Sequence, residues 1–168
     1  MGERVIIRDD LEDIYRRNVS TIYKVCYLYM KNASDAEDAV QTTFEKLAIA
    51  KLNFKDDFHE RSWLIKVAKN ICKNMLGHWS RKNINIDDCE LLAVSDAFAN
   101  CDEELVKKVL SLPEKYSLIL FLYYYEGFST SQLANLLNLN ASSVRSRLRR
   151  GREKLKLVIE DERSSYEH

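Results

Sequence analysis

The chain has 168 residues with 26 basic and 26 acidic side chains, so its formal net charge is zero, and this length admits one large domain or two small ones. Four glycines, one proline and no β-rich runs bounded by turn pairs argue against a β-sandwich or barrel and favour an all-helical protein. The N-terminal stretch MGERVIIRDD lacks the apolar core of a signal peptide and no run approaches the length of a membrane span, so we expect a cytoplasmic protein without membrane insertion of its own.

The first predicted helix covers Asp9–Met30, where apolar residues recur at steps of three and four. Cys26 belongs to this apolar stripe, and Cys72 belongs to a later one. We expect both to be buried free thiols in a reducing cytosol. A zinc site built from Cys89, Cys101 and a histidine is the alternative, although the sequence shows no metal-ligand spacing.

A second helix is predicted after a break at Lys31–Ala33. Ser34 with Glu37 has the pattern of a capping box, which places the helix start at Ser34. The predicted inward positions are Ala36, Ala39, Val40, Phe44 and Leu47. The predicted outward positions are Asp35, Asp38, Gln41 and Glu45. On spacing alone, this outward face is a solvated helix surface.

The segment Leu52–Glu60 is too polar and irregular for a helix, and we predict a loop there with Phe54 and Phe58. Ser62 is predicted to open a third helix. Its predicted core positions are Trp63, Leu64, Val67, Ala68, Ile71 and Met75, and its basic, amide-rich face comprises Lys66, Lys69, Asn70, Lys73 and Asn74. Aromatic rings beside such a face suit the binding of single-stranded nucleic acid, because its bases can stack on the rings. The alternative is that the rings only pin the loop to the core.

Charge is unevenly distributed despite its zero sum. Arg61–Lys82 carries six cations and no acid, and Arg145–Lys156 carries seven cations and one acid. Asn83–Val106 carries seven acids and no cation. Two basic blocks separated by an acidic stretch indicate two domains with an acidic linker. We expect the linker acids to compete with DNA phosphate for the cations, or else to act only as a soluble spacer.

Asp102 is predicted to begin a helix that runs to Leu110, and Pro113 suits the first turn of the next one, which Gly127 ends. Core residues of that helix are interpreted as Tyr116, Ile119, Leu120 and Tyr123.

The last predicted elements are two helices joined by a tight corner, within Phe128–Lys156. Ser129 or Ser131 can cap the first helix, Asn138 tolerates the left-handed conformation that ends it, and Asn140 can cap the second. One face of the second helix is apolar: Val144, Leu148, Gly151 and Leu155. Its opposite face carries Ser142, Ser143, Arg145, Ser146, Arg149 and Arg150, and its flanks carry Arg147, Arg152, Lys154 and Lys156.

This pair of helices predicts a helix-turn-helix that reads DNA. Small residues at the helix start with arginines one turn later suit a helix in the major groove, where arginine can bind guanine bidentately. The seven cations are an electrostatic footprint for phosphate. A solvated basic helix is the alternative.

From Leu11 to Leu157 the chain resembles a bacterial RNA polymerase sigma factor of the extracytoplasmic-function group, the minimal two-domain kind of the sigma-70 family. In the first half the matching residues are Asp35-Ala36-Glu37-Asp38, Gln41, Phe44, Trp63-Leu64, Ala68 and Asn70. In the second half they are Leu112-Pro113, Glu126-Gly127, Ser129, Ala134, Val144, Ser146-Arg147-Leu148, Arg150-Gly151-Arg152 and Leu155.

The sequence shows no nucleophile–base pair, metal cluster or phosphate loop, so we expect a non-enzymatic protein without cofactor, metal or catalytic residues. The resemblance agrees with this expectation. It implies binding of core RNA polymerase, at the β′ clamp and the β flap, promoter-specific initiation of transcription, and control by an anti-sigma factor. It also implies a region 2-like domain over 1–82, a flexible acidic linker over 83–101 and a region 4-like helix-turn-helix domain over 102–168.

The predicted helix faces and the resemblance together assign residues to each contact. Core polymerase binding falls to Asp35, Glu37, Asp38, Gln41 and Glu45. Contacts with the upstream element that is opened (−10) fall to Lys55, Phe58, Trp63, Lys66, Asn70, Lys73 and Asn74. Contacts with the duplex −35 element fall to Ser142, Ser143, Arg145, Ser146, Arg147, Arg149 and Arg150.

Two other functions stay open on the residues alone. The first is a stand-alone helix-turn-helix regulator that acts without polymerase, with a first domain that binds a ligand or partner. The second is a helical interaction module, which predicts no salt-sensitive DNA binding.

Overall fold

The computed structural model describes residues 8–81 and 98–166, and contacts within the chain divide it into two compact units, Met1–Ala93 and Val94–His168. Every regular element in the described ranges is helical, which confirms the all-α prediction. Most of the predicted linker, with Asp87, Asp88, Glu90 and Asp96, lies outside the described residues, as does Cys89.

The first unit is built from three helices, α1 (Arg8–Met30), α2 (Ala33–Ala50) and α3 (Asp57–Arg81), each of which contacts the other two. Apolar side chains spaced three or four apart make one stripe on each helix, and the three stripes meet in a common core. Fully buried members are Ile22, Val25 and Cys26 on α1, Ala36, Ala39 and Leu47 on α2, and Leu64, Ile65 and Ala68 on α3.

The cap of α2 differs from the predicted one. Lys31 follows α1 with φ 58°, and the side chain of Asn32 accepts a hydrogen bond from the backbone N–H of Asp35 at 2.9 Å. The Asn32 amide also donates to Asp35 Oδ2 at 2.5 Å. The predicted Ser34–Glu37 capping box is therefore wrong, because the left-handed turn at Lys31 already brings Asn32 to the cap position.

The start of α3 also differs, since the helix begins at Asp57 and not at Ser62. Asp56 Oδ1 accepts from the backbone N–H of His59 at 2.8 Å, and Glu60 N–H donates to the Asp56 carbonyl at 3.1 Å. The predicted loop is thus shortened to residues 51–56. Acidic residues in the first turn suit the positive end of the helix dipole, so the polar segment is compatible with a helix start.

The second unit comprises α4 (Glu103–Ser111), α5 (Glu114–Leu120), α6 (Thr130–Leu137) and α7 (Ala141–Tyr166). Asp102 caps α4 as predicted, because its Oδ1 accepts from the N–H groups of Glu104 and Leu105 at 3.0 and 3.2 Å. Pro113 stands just before α5. From Tyr116 to Leu122 every side chain is buried, so α5 is the central helix of this unit.

A π-helical turn, Phe121–Tyr125, continues α5 directly. The N–H of Glu126 donates to the carbonyl of Phe121 at 3.2 Å, five residues earlier. Gly127 then takes φ 76°, and the N–H of Phe128 reaches back to the carbonyl of Leu122 at 3.0 Å. A residue without a side chain fits this left-handed position, so the predicted stop at Gly127 is confirmed.

Helices α5 and α7 approach each other closely at Gly151. A Cβ atom built on Gly151 would lie 3.2 Å from Cγ and Cδ1 of Leu120. Val144 and Leu148 are buried on the same side of α7, as the helical spacing predicts. Gly151 therefore sets how near α7 lies to the central helix.

Candidate functional site

The outward face of α2 carries a row of exposed side chains at helical steps: Asp38, Gln41, Glu45 and Ile49. The Gln41 amide donates to Glu45 Oε1 at 3.1 Å, which links two members of the row. Ile49 is 78% exposed and ends the row with an apolar side chain. The sequence prediction missed Ile49, although its step of four from Glu45 places it on this face.

The other two predicted residues of α2 lie at the edges of this face. Asp35 is half-buried and its carboxylate is bonded to Asn32, so it stabilises the helix start. Glu37 is exposed on the flank.

A second outward face lies on α3. Lys66, Asn70, Lys73 and Asn74 are all exposed at steps of four, three and one. His59, one turn before Trp63, falls on the same face and is exposed, and the sequence prediction did not assign it a role. Its Nδ1 lies 2.8 Å from Asp56 Oδ1, and hydrogen bonds from the His59 backbone and ring lower the pKa of Asp56.

The aromatic side chains near the start of α3 differ in their exposure. Phe54 packs on Trp63 with ring centroids 5.8 Å apart, and both rings are half-buried. Phe58 stands in the first turn of α3 and is 38% exposed. Lys55 is exposed in the loop before it. Phe54 therefore pins the loop, whereas Phe58 presents part of its ring to solvent.

Glu60, which is buried, connects α3 to α1 through an ion pair with the partly exposed Arg17. Its carboxylate oxygens accept from Arg17 Nε and Nη2 at 2.9 and 2.8 Å, and Oε1 also accepts from Asn18 Nδ2 at 2.6 Å. The hydrogen bond to Glu60 raises the pKa of Arg17. Asn18 further donates to the carbonyl of Ile14 at 2.9 Å. These bonds fix the first turn of α3, and with it the loop and Phe58, relative to α1.

The helix-turn-helix consists of α6 and α7. Ser129 and Gln132 form a reciprocal capping box on α6, and Asn138 ends that helix with φ 53°. Asn140 then caps α7, because its Oδ1 accepts from the N–H of Ser143 at 2.7 Å and from Ser142 Oγ at 2.9 Å. The predicted caps and corner are confirmed.

Two rows of cations run along α7, on either side of its outward face. Arg145, Arg149, Arg152 and Lys156, spaced four, three and four apart, are all exposed in one row. In the other, Arg150 is exposed, Arg147 is half-buried, and Lys154 places its Nζ 5.6 Å from the centre of the Tyr116 ring. Ser146 lies between the rows and is half-buried.

Cys26 and Cys72 are buried free thiols, as predicted, and a hydrogen bond between them together with burial raises the pKa of Cys26. Across residues 8–81 and 98–166, no group of three or more His, Cys, Asp or Glu side chains is arranged to hold a metal ion. None of the helices that the structure describes combines the length and hydropathy that a membrane span requires.

Two family models match this chain in succession. The model described as Sigma-70 region 2 matches residues 14–82, and the model described as Sigma-70, region 4 matches residues 102–155. The first match falls on α1–α3 and the second on α4–α7.

Two sigma factors of Bacillus subtilis are similar over most of the chain. The ECF RNA polymerase sigma factor SigW of Bacillus subtilis is 25% identical over 170 residues, which cover 90% of this chain and 88% of SigW. The ECF RNA polymerase sigma factor SigM of the same organism is 24% identical over 154 residues, which cover 88% of this chain and 94% of SigM.

Two solved structures share the fold. A chain in the co-crystal structure of the sigma factor RpoE with the anti-sigma factor NepR from Bartonella quintana matches with a TM-score of 0.73 and 16% identity, covering 90% of this chain and 98% of that one. A chain in the structure of CnrH with the cytosolic domain of CnrY matches with a TM-score of 0.67 and 19% identity, covering 92% and 90%.

Proposed function

This chain belongs to the extracytoplasmic-function group of the sigma-70 family, and from that premise we propose that it binds core RNA polymerase and directs it to promoters. The observation that carries the proposal is the succession of the two family matches, one on each compact unit. The family's two principal modules are thus both present, in order. The chain is a transcription initiation factor, and we infer that it acts without catalysis of its own and in the cytoplasm.

The outward face of α2 is the proposed contact with the β′ clamp of polymerase. Asp38, Gln41 and Glu45 offer acidic and amide groups in one row, and Ile49 adds apolar area at its end. A polar row with an apolar terminus suits a protein interface, where an apolar anchor supplies burial and charges supply orientation. Glu37 contributes from the flank, and Asp35 acts by holding the helix start.

The outward face of α3 is the proposed contact with the opened −10 element. Lys66 and Lys73 can neutralise phosphates, Asn70 and Asn74 can bond base edges, and the exposed part of Phe58 can stack on a base. Lys55 and Trp63 border this face. The ion pair between Glu60 and Arg17 supports the proposal, because it fixes the first turn of α3, which carries Phe58, relative to α1.

The outward face of α7 is the proposed contact with the −35 duplex. Ser142 and Ser143 are fixed at the helix start by Asn140, which suits contacts near the groove floor. Arg145, Arg149 and Arg150 are exposed beyond them, and Ser146 and Arg147 are half-buried. The resemblance to region 4 also implies the β flap as a second polymerase contact. The similar chain in the RpoE structure is bound to the anti-sigma factor NepR, which supports control of this chain by an anti-sigma factor.

Reversing one charge on α2 tests polymerase dependence. The Asp38→Arg variant should bind core polymerase at least about tenfold more weakly. The reason is that the new positive charge would repel the surface of the β′ clamp that the carboxylate attracts. Asp161→Arg, the same reversal on the exposed C-terminal part of α7, should assemble normally. Affinity of the full chain for core polymerase is the measurement.

Two outcomes of that experiment would contradict the proposal. Normal assembly of Asp38→Arg holoenzyme would remove α2 from the interface. Sequence-specific DNA binding by a wild-type chain that never associates with polymerase would indicate a stand-alone helix-turn-helix regulator.

Phe58 provides a test of the −10 contact. Replacing it with leucine keeps apolar volume but removes the ring, so opening of the promoter should become about 1–3 kcal/mol less favourable. Phe58→Tyr keeps the ring and should open DNA normally. Permanganate reactivity of unpaired thymines in the holoenzyme complex measures opening. Equal reactivity of the leucine and tyrosine variants would show that Phe58 does not stack on a base.

A further inference from the structure

One contact joins the π-helical turn to the row of cations on α7 that begins at Arg145. Arg152 Nη1 donates a hydrogen bond to the hydroxyl oxygen of Tyr124 at 3.0 Å. Tyr124 is nevertheless 60% exposed, and Arg152 is exposed as well. The pair therefore presents its polar atoms to solvent on the side of α7 where Arg145 and Arg149 lie.

The tyrosine is held in place by its neighbours. Its ring meets the ring of Tyr123 edge-on, with centroids 4.9 Å apart and an interplanar angle of 83°. The π-helical turn carries it out of the buried stretch that ends at Leu122. Such turns hold one more residue than an α-helical turn and occur often at functional sites.

The guanidinium retains most of its hydrogen-bonding capacity. Arginine has five N–H donors, and one of them is used by Tyr124. Among the residues that the structure describes, no carboxylate lies within ion-pair distance of Arg152. The tyrosine accepts from Arg152 and keeps its own O–H proton to donate. Two adjacent groups thus point donors toward solvent, which suits an anion that needs several.

The position along α7 matches the edge of a DNA groove. Arg152 stands seven residues after Arg145, which corresponds to about 10 Å along the helix axis. The major groove of B-DNA is about 12 Å wide. If the start of α7 lies in the groove, a residue two turns further on the same side lies at the groove wall, where the phosphates are.

We propose that Tyr124 and Arg152 together form a clamp for one backbone phosphate of the duplex that α7 reads. The inference rests on the proposed function of α7. Arg152 supplies the charge and bidentate geometry, and Tyr124 orients the guanidinium and donates its own hydroxyl to the phosphate. The clamp reads no base, so it fixes the position of α7 on DNA without adding sequence preference.

The test uses the full chain in its holoenzyme, with a promoter duplex selected by that holoenzyme from random DNA and a scrambled duplex of equal length. Tyr124→Phe keeps the ring and removes the hydroxyl, so it should weaken binding to both duplexes alike by about three- to tenfold. Arg152→Ala should weaken both and lower the slope of log affinity against log salt by about 0.9. The double variant should lose less affinity than the sum of the two single losses, because the two residues act on one phosphate.

Two controls distinguish the clamp from a general loss of folding or of aromatic surface. Tyr125→Phe, the same change at the exposed neighbouring position, should leave binding unchanged, and circular dichroism melting should show that Tyr124→Phe folds normally. Wild-type affinity of Tyr124→Phe, additive effects in the double variant, or a loss confined to the promoter duplex would each overturn the clamp. Arg149→Ala should lose sequence preference. If it does not, the assignment of α7 as the recognition helix fails, whatever the clamp variants do.

Discussion

Replacing Glu60 with alanine should lower the free energy of unfolding of the first unit by about 2–3 kcal/mol. Removing one partner of a buried ion pair leaves the other without compensation, at a cost of about 3–5 kcal/mol in fully buried cases. The Arg17 side chain is 42% exposed and can turn toward water, which reduces the loss. Asn18, which is buried, loses one acceptor but keeps its bond to Ile14.

Tryptophan fluorescence measures this loss selectively. The chain has two tryptophans, Trp63 and Trp79, and both belong to the first unit. Urea unfolding of the full chain, followed by their emission, therefore reports that unit alone. Glu12→Ala removes an exposed partner of Arg16 and should cost less than about 1 kcal/mol. Equal losses for the two variants would show that the buried bonds of Glu60 contribute no more than a surface pair.

Gly151→Val should destabilise the second unit by about 2–3 kcal/mol or more and abolish binding of the −35 duplex. A Cβ at this position already lies 3.2 Å from two side-chain atoms of Leu120, and valine adds two further carbons against the central helix. Overpacking of this kind typically costs about 1–3 kcal/mol, and a β-branched residue in a helix adds a further cost. The buried face of α7 would separate from α5, so its outward face would lose its support.

A compensating substitution provides the control. Leu120→Ala alone creates a cavity and should itself be destabilising by about 2–5 kcal/mol. Combined with Gly151→Val, it makes space for the added carbons, so the double variant should be more stable than the sum of the single effects predicts. Native-state hydrogen exchange of amides in α5 and α7 measures these losses. Strict additivity would mean that the two side chains do not collide.

The features that local patterns predicted were the helical stripes and several caps. Asp102, Ser129, Asn138 and Asn140 each act within three or four residues of their own position, so their roles follow from short sequence patterns. Most helices of the second unit were therefore predicted, but the structure differs in three places. The π-helical turn, Phe121–Tyr125, had no distinctive signal in the run of tyrosines. Tyr123, predicted as a core residue, is half-buried, and α7 continues past the predicted Lys156 to Tyr166.

The two errors in the first unit have different causes, a distant partner for the start of α3 and a local backbone conformation for the cap of α2. Glu60 looks like a loop residue in sequence, because its neighbours offer no partner for its charge. The partner is Arg17, 43 positions earlier. That partner allows Glu60 to be buried and the helix to start at Asp57. Asn32, and not Ser34, caps α2 because Lys31 adopts a left-handed conformation. That conformation is uncommon for a lysine, so the sequence did not indicate it. The functional roles of the outward residues stay predictions.

The single unbroken course of α7 gives the second unit the mechanics of a lever. At its far end Glu162 pairs with Lys108 of α4 at 2.9 Å, and near its middle Gly151 rests against Leu120. With the close contact at Gly151 as fulcrum, the arm toward Glu162 is about 16 Å long and the arm toward Arg145 about 9 Å. Were α7 to turn as a rigid body about this contact, a shift of the Glu162 end by about 1 Å would move Arg145 by about half an ångström in the opposite direction.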